Sequence, residues 1–473
     1  VKLADIHSVY FVGIGGIGMS ALARWFHAQG CEVAGYDATR GPITGQLEKL
    51  GVPVTYSDKP ENLQSAFTKA GKDILVVYTP AVPESLGLLQ YFQKNEFTVL
   101  KRAAVLGLIS RNYYTLAVAG THGKTSTSSM LAHILTHAGK SCIAFLGGIS
   151  KNYQSNFVHF EAGGLPMLVA EADEFDRSFL QLEPNITILT SVDPDHLDIY
   201  GDFDTMKATF AEFANLMAED GYLVIHEQAS RTLNHRLNVE AVTYGISVGR
   251  AQAQNIRVEY EKGMARFVFD LHHEQGIITN IALAAPGKFN VLNACAAALA
   301  ALKAGVEGAA IRKALNDYKG VWRRFEYIVQ PGVPEHCIYI DDYAHHPTEI
   351  AAVIEAIRHL YPNRKVTAVF QPHLYSRTRD FAEGFAAELS RVDELYLLPV
   401  YPAREQPIEG VGSSVLLNRV TLGNKQLLSK EDFLEAMRGS NQLDVLLSIG
   451  AGDIDRLVPE LKKIVEEKNK QKT

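Results

Sequence analysis

The hexapeptide Gly120-Thr121-His122-Gly123-Lys124-Thr125 follows an apolar strand, Leu116-Ala117-Val118-Ala119. It precedes a helix on which Met130, Leu131, Ile134, Leu135 and Ala138 recur along one face before Gly139 ends it. Strand, glycine turn and helix in that order restrict the chain to an α/β fold with a phosphate-binding turn at the carboxyl end of a strand. Glycines let backbone amides crowd a phosphate chain, and the helix aims its positive end at the same place. Lys124 is spaced to reach the β and γ phosphates and Thr125 to offer a hydroxyl to Mg²⁺, so ATP or GTP is the natural ligand. The turn is shorter than the full Walker pattern, because Val118 stands where its first glycine would be.

A second glycine turn lies near the start. Ser8-Val9-Tyr10-Phe11-Val12 reads as a strand, Gly13-Ile14-Gly15-Gly16-Ile17-Gly18 as the turn, and Met19, Leu22, Ala23 and Phe26 as the buried face of a helix that Gly30 stops. Glu32 to Asp37 is the next strand. Gly13, Gly15 and Gly18 have dinucleotide-fold spacing, with Asp37 placed to hold a ribose hydroxyl. A dinucleotide or another diphosphate, such as a UDP-sugar, fits equally well, and glycines needed only for helix–strand packing are the alternative. With further strands at Ile74–Tyr78 and Phe97–Leu100, residues 1–107 are expected to form a small Rossmann-like domain.

Residues 108–322 are expected to form a central ATP-binding domain. Its apolar strands at Met167–Ala170, Ile186–Thr190 and Tyr222–Ile225 imply a mostly parallel sheet covered on both faces. The alternating stretch from Ile256 to Leu283 reads as a short antiparallel insertion, and an alanine-rich helix as running from Ala294 to Ala304. Residues 323–473 restart the α/β pattern with strands at Cys337–Ile340, Val366–Phe370, Leu395–Leu398 and Val445–Ile449 and a helix from Pro347 to Leu360. Residues 466–473 read as a frayed polar tail. The fold class is α/β in three domains, and 473 residues with 47% hydrophobic and 21% charged content suffice for three cores.

A net charge of −7 without basic runs excludes a general nucleic-acid surface. Cys31, Cys142, Cys295 and Cys337 are too scattered for a zinc site or a disulfide framework. No apolar run approaches the ~20 residues of a membrane span, and Val1 leads into the first strand without a charged-then-apolar leader. A cytoplasmic protein without membrane insertion is expected.

The remaining chemistry gathers at strand ends. Glu171-Ala172-Asp173-Glu174 and Asp193-Pro194-Asp195-His196-Leu197-Asp198 each leave a central strand, offering carboxylates and an imidazole to Mg²⁺; solvated turn carboxylates are the alternative. Asn290 and Asn293 straddle the expected start of the alanine-rich helix, where an amide can read adenine or cap the helix. Arg323 and Arg324 can grip phosphate or serve as a solvated hinge. Asp341-Asp342-Tyr343-Ala344-His345-His346-Pro347-Thr348-Glu349 enters a helix at Pro347, and His373, Tyr375, Arg377 and Arg379 follow the next strand. The adjacent histidines do not make a zinc site, having no spaced cysteine or third histidine to help.

Taken in order, GIGGIGMS, GTHGKT, EADEFD, DPDHLD, PGKFNVLNA, WRRFE, DDYAHHPTE and QPHLYSRT resemble the Mur ligases of bacterial cell-wall synthesis over nearly the whole chain. Within that family the motifs resemble the alanine-adding branch. The resemblance implies an ATP- and Mg²⁺-dependent ligase that joins L-alanine to the lactyl carboxylate of UDP-N-acetylmuramate through an acyl phosphate, as a monomer or homodimer. It further implies an ATP site of Gly120, Thr121, Gly123, Lys124, Thr125, Ser126, Asn290, Asn293, Arg324 and Asp342, with Thr125, Glu171 and His196 on the metal. The UDP-sugar falls to Gly15, Gly16, Ile17, Gly18, Met19, Asp37 and Thr79, and the amino acid to Tyr343, His345 and Arg377. Lys124, His122, His196 and Arg377 carry the catalytic roles, His122 facing the acyl phosphate and Arg377 anchoring the amino-acid carboxylate.

Several positions depart from the family pattern. Phe289 stands for a histidine, Leu146 and Ser191 for asparagines, and Leu374 for the arginine usual in alanine-adding relatives, which removes one polar contact with the amino acid. Phe210 stands where other branches carry a carbamylated lysine, as the alanine-adding branch does not. The competing readings are a ligase that recycles a whole tripeptide onto the same sugar nucleotide, a nucleotide-gated regulatory protein, and an NAD-dependent oxidoreductase, which would leave Lys124 unexplained.

Overall fold

The computed structural model describes residues 1–472 other than 219, 262–263, 331–332, 334, 404 and 441. Three sheets, of five, ten and six strands, are interleaved with helices, and most of the pairings are parallel. The chain divides into two compact units: residues 1–254 with 271–279 and 292–315, and residues 255–270 with 280–291 and 316–473.

In the first unit the amino-terminal sheet runs in the order Val54–Thr55, Glu32–Tyr36, Ser8–Val12, Ile74–Tyr78, Thr98–Lys101. All four pairings are parallel. Because the strand order reverses beside Ser8–Val12, a crevice opens beyond the carboxyl ends of that strand and Ile74–Tyr78, where such folds bind ligands. The first glycine turn and Thr79 stand there. Val9 and Phe11 face one side of this sheet and Tyr10 and Val12 the other, each packed into a separate apolar cluster.

The second sheet of this unit places Tyr114–Ala119 between Ile186–Leu189 and Met167–Glu171, all parallel. The glycine turn after Ala119 is therefore flanked by the chain leaving Glu171 and the chain leaving Leu189, which brings both acidic segments to its sides. The helix Lys124–His137 differs from the one-sided pattern expected of it, since every residue from Thr125 to Thr136 is buried. The strands Cys142–Ser150 and Met167–Glu171 pack against it. The alternating stretch becomes the strands Ala251–Glu261, Met264–His273 and Gly276–Leu283.

In the second unit the sheet order is Glu326–Val329, Ile338–Asp342, Val445–Ile449, Val366–Phe370, Glu394–Leu397, Lys425–Leu427. Only the first pair is antiparallel. Three central strands thus deliver Asp341 and Asp342, Gly450, and Gln371 to His373 to one edge. The helix Pro347–Leu360 has the bounds the sequence indicates, with Pro347 at its first turn.

Two expectations are corrected. The alanine-rich helix begins at Lys288, so Asn290 and Asn293 lie inside it rather than astride its start. The carboxyl-terminal stretch is no frayed tail. The helix Val458–Lys472 buries Leu461, Ile464, Val465 and Asn469, and the Asn469 amide accepts the Cys337 N–H at 2.7 Å and donates to its carbonyl at 3.0 Å. An amide matched to one residue's donor and acceptor docks a turn that composition alone would leave in water. The four cysteines are free, and no helix among the described residues is long and apolar enough to cross a membrane.

Candidate active site

The phosphate turn is shaped by what crosses it. Gly120 has φ +133° and Gly123 φ +84°, and a side chain on Gly120 would collide with Thr190 and the Ser191 amide. The chain leaving Leu189 stitches the turn down. The Thr121 hydroxyl donates to the Asp193 carbonyl at 3.1 Å and accepts the Asp193 N–H at 2.9 Å, while the Ser191 hydroxyl accepts the His122 N–H at 2.8 Å. Ser191, a departure from the family pattern, is thus a scaffold for the turn. The His122 imidazole lies 3.6 Å from the Asp193 carboxylate.

Lys124 begins the helix and folds back over its own turn. Its ammonium donates to the carbonyls of Gly120 at 2.7 Å and Thr121 at 3.2 Å, and meets the two carboxylate oxygens of Glu174 at 2.9 and 2.8 Å. Burial pushes the Glu174 carboxyl up to about 7 even though Lys124 draws it down. Burial also opposes the charge on Lys124, yet Glu174, Asp173 and Glu171 together keep its pKa above the ordinary lysine value.

Thr125 and Glu171 are brought together: the hydroxyl donates to one carboxylate oxygen at 3.0 Å, and the other oxygen accepts the Gly147 N–H at 2.9 Å. Gly147 has no alternative, since a Cβ there would strike the Glu171 carboxylate. A carboxylate, a hydroxyl and the phosphate oxygens of a nucleotide are a hard-oxygen donor set suited to Mg²⁺. Among the described residues no three His, Cys, Asp or Glu side chains form a metal cage. His196, with φ +51°, lies edge-on to Phe175 and 3.6 Å from the Asp195 carboxylate. The side chains of Leu197 and Asp198 lie outside the described residues. Ser126 is buried in the first helical turn. Asn293 is also buried, and its side-chain oxygen sits over Gly123, whose missing Cβ makes that approach possible.

The first glycine turn opens on a cavity of about 300 Å³. Gly16, Ile17, Gly18, Met19, Leu22 and Thr79 line one side, and Phe145, Leu146, Gly147, Glu171 and Asp173 another, with Arg102 and Leu106 also in the lining. Asp37 turns to the glycine loop, accepting the Gly15 N–H at 2.7 Å. Arg102 is a residue that sequence reading missed. Its Nη2 donates to Asp173 at 3.3 Å, and its guanidinium occupies the space that a side chain on Gly18 would need. Among the described residues of the lining it is the one cationic side chain. Arginine in an unmarked Lys-Arg pair at the start of a helix carries no signal in one sequence.

In the second unit Asn290 donates to the Pro286 carbonyl at 2.8 Å, a bond back to the backbone entering its helix. The two adjacent arginines separate in role. Arg323 is tied to Asp341 at 2.9 Å and to the Gly450 carbonyl at 2.6 Å, while Arg324 reaches Glu349 at 3.8 Å; both guanidinium groups lie 5.2 Å from the Tyr343 ring. Asp342 is buried and accepts the N–H groups of Phe325 at 2.6 Å and Ala344 at 2.7 Å. His345 packs edge-on to Tyr343, with its Nδ1 3.3 Å from Glu349. Burial drives its imidazole down to about 3; Glu349 opposes this, and Arg377 and Arg324 add to it. His346 turns away to cap its helix and pack on Phe381. Arg377 is buried in the helix Tyr375–Asp380, and Leu374 caps that helix with φ +67°. His373 stacks on Tyr401, 5.8 Å between centroids, and lies 6.3 Å from the His345 ring. Glu349 and His373, from segments singled out in sequence, thus join this cluster, and Tyr401 joins it beyond them.

Comparison with known proteins gives a consistent picture. Three family models match in succession: the Mur ligase family catalytic domain over residues 8–114, the Mur ligase middle domain over 118–301, and the Mur ligase glutamate ligase domain over 323–452. A protein of Cytophaga hutchinsonii named UDP-N-acetylmuramate--L-alanine ligase is 45% identical over 470 residues, 99% of this chain and 99% of its own. The crystal structure of UDP-N-acetylmuramate-alanine ligase MurC from Thermotoga maritima matches 98% of this chain and 100% of its own, at 27% identity and TM-score 0.79. That of a murein peptide ligase from Psychrobacter arcticus shares the fold at TM-score 0.71 and 23% identity, covering 96% of this chain and 99% of its own.

Proposed function

Because this chain belongs to the Mur ligase family, we propose that it joins L-alanine to the lactyl carboxylate of UDP-N-acetylmuramate with cleavage of ATP to ADP and phosphate, in peptidoglycan synthesis. One observation carries this reading: the glycine turn suited to a sugar nucleotide and the Glu171–Asp173 segment beside the phosphate turn line the same cavity. A sugar nucleotide seated on the first turn presents its acid arm toward the second.

A carboxylate does not condense with an amine near neutral pH, because oxide is a very poor leaving group. Transfer of the γ-phosphoryl group from ATP to the lactyl carboxylate gives an acyl phosphate and ADP. The alanine amine then adds to its carbonyl, and the tetrahedral adduct collapses to amide and phosphate. Mg²⁺ held by Thr125, Glu171 and His196 would neutralise phosphate charge. Lys124 stabilises the equatorial oxygens of the transferring group, His122 faces the acyl phosphate, and the backbone amides of the turn cradle the chain. Arg102 offers the acid arm a guanidinium fork, which matches a carboxylate in shape and charge. Asn290, Asn293, Arg324 and Asp342 serve the nucleotide, and Tyr343, His345 and Arg377 the amino acid. We assign this work to residues 1–107, 108–322 and 323–473 in turn, in a cytoplasmic protein acting as a monomer or homodimer.

The test is phosphate release by purified protein with ATP, Mg²⁺, UDP-N-acetylmuramate and each amino acid separately. Release should require sugar nucleotide and amino acid together, and be greatest with L-alanine. Turnover indifferent to both would favour a nucleotide-gated regulator, and release supported by a tripeptide rather than alanine would favour a recycling ligase.

A further inference from the structure

The segment Glu171–Asp176 holds four carboxylates, and the structure gives each a different partner. Glu171 takes Thr125 and Gly147, Asp173 takes Arg102, and Asp176 takes Lys101 at 3.0 Å. Glu174 takes Lys124, and is the one that is fully buried, at 1% exposure. Glu174 has no place among the substrate, nucleotide or metal contacts described above.

Lys124 has three N–H groups. Three acceptors use them: the Gly120 carbonyl, the Thr121 carbonyl and the Glu174 carboxylate. A phosphate oxygen can bond this ammonium only by taking one of those places. The carbonyls belong to a turn fixed by two left-handed glycines and by the Thr121–Asp193 bonds, so they cannot withdraw without dismantling the cradle. The carboxylate is on a side chain and carries the same sign of charge as a phosphate. It is the acceptor that can be exchanged.

We propose that Glu174 is a positioning residue for Lys124, holding the ammonium over the turn as its counter-ion and giving up that place to the terminal phosphate of the nucleotide. The proposal rests on the ligase reading above and adds a step to it. Bond exchange, not simple docking, then accompanies seating of the γ-phosphate. A carboxyl group already raised to about 7 by burial, with Asp173 adding to the rise, discharges readily once phosphate takes its place on the ammonium, so the exchange strands no buried anion.

The test is calorimetric binding of the Mg²⁺ complexes of ADP and of a non-hydrolysable ATP analogue with an imido bridge. It is run on the intact wild type and on Glu174→Gln, which keeps the size and removes the charge. The variant should bind the triphosphate analogue about fivefold more tightly and ADP within about twofold of wild type, because ADP lacks the γ-phosphate that takes the place of Glu174 on the ammonium. In turnover the KM for ATP should fall while the KM values for the other two substrates hold. Glu174→Asp keeps the charge but shortens the arm, and should shift affinity the same way by a smaller factor; it decides the matter if the glutamine variant does not fold. Triphosphate affinity unchanged or weakened, or ADP and triphosphate affinity shifted equally, overturns the proposal. A wild-type protein that fails to ligate overturns the functional reading instead.

Discussion

Glu171, at the end of its strand, accepts at 3.0 Å the hydroxyl of Thr125, in the helix that follows the neighbouring parallel strand, while its second oxygen is fixed by the Gly147 amide at 2.9 Å. The carboxylate is thereby held at the foot of the phosphate turn with lone pairs left for a hard cation. Glu171→Gln keeps one oxygen to accept the Gly147 N–H and can meet Thr125 only with that bond reversed, its amide donating to the hydroxyl, and it removes the charge that would attract Mg²⁺. The Mg²⁺ concentration giving half-maximal phosphate release should rise about tenfold or more, with the melting temperature within a few degrees of wild type. An unchanged Mg²⁺ requirement would move the metal away from this residue.

Lys124→Ala should abolish turnover, with kcat reduced by at least about 10³, if the residue acts as proposed on charge that develops during phosphoryl transfer. The fold should survive: the deletion leaves Glu174 buried without its ammonium, but that carboxyl, already raised to about 7, can take a proton. Circular dichroism beside the phosphate-release assay separates the two effects. Near-normal activity would remove the central assignment.

The strand–turn–helix around Lys124 was legible in sequence because glycines, lysine, hydroxyl and apolar periodicity are all local. So was the placing of Glu171 and Asp193 at strand ends, since a run of apolar strands between helices implies a parallel sheet whose carboxyl ends gather on one edge. What could not be read was pairing between residues distant in the chain. Lys124 with Glu174, Arg102 with Asp173, and Ser191 under His122 depend on which strands are neighbours. Arg323 and Arg324 are indistinguishable as text, yet the fold ties the first to Asp341 and the Gly450 carbonyl and turns the second toward Glu349. The last turns of the final helix, within residues 466–472, were missed because their docking rests on Asn469 meeting one backbone residue, Cys337, which no period reveals.

Among the described residues Arg102 is the cation lining the cavity shared by the glycine turn and Glu171, and its Nη2 donates to Asp173 at 3.3 Å. If it grips the lactyl acid, Arg102→Ala should raise the KM for UDP-N-acetylmuramate about tenfold or more and leave that for ATP near wild type. Inhibition by UDP-N-acetylglucosamine, which carries the diphosphate without the acid arm, should be almost unaffected. Equal weakening of both sugar nucleotides would transfer Arg102 to the diphosphate.

Burial holds the His345 imidazole neutral in the folded protein, down to about pH 3, whereas in the unfolded chain it protonates near its ordinary 6.5. A histidine with a lowered native value contributes stability that is full above 6.5 and drains away as the pH falls toward 3. Melting temperature should therefore drop between pH 6.5 and 4.5, and His345→Gln should flatten that slope by about 2 kcal/mol over the interval. Comparing the slopes rather than the absolute stabilities removes the cost of the substitution itself. Parallel profiles for the two proteins would show that His345 carries a proton when folded.

Arg377 is buried in the short helix that Leu374 caps, close enough to His345 to depress its imidazole. A buried guanidinium beside a neutral imidazole is matched by the carboxylate of an incoming amino acid, and Leu374 supplies no second cation where related ligases have arginine. On the proposed function the carboxylate anchor would therefore fall mainly on Arg377. Arg377→Ala should raise the KM for L-alanine by about 10²-fold with a smaller change in kcat, while Leu374→Arg should lower that KM. Initial rates across an alanine series at saturating ATP and UDP-N-acetylmuramate give both numbers. A KM for alanine that does not respond to Arg377→Ala places the anchor elsewhere in the cluster, with Arg324 the next cation to replace.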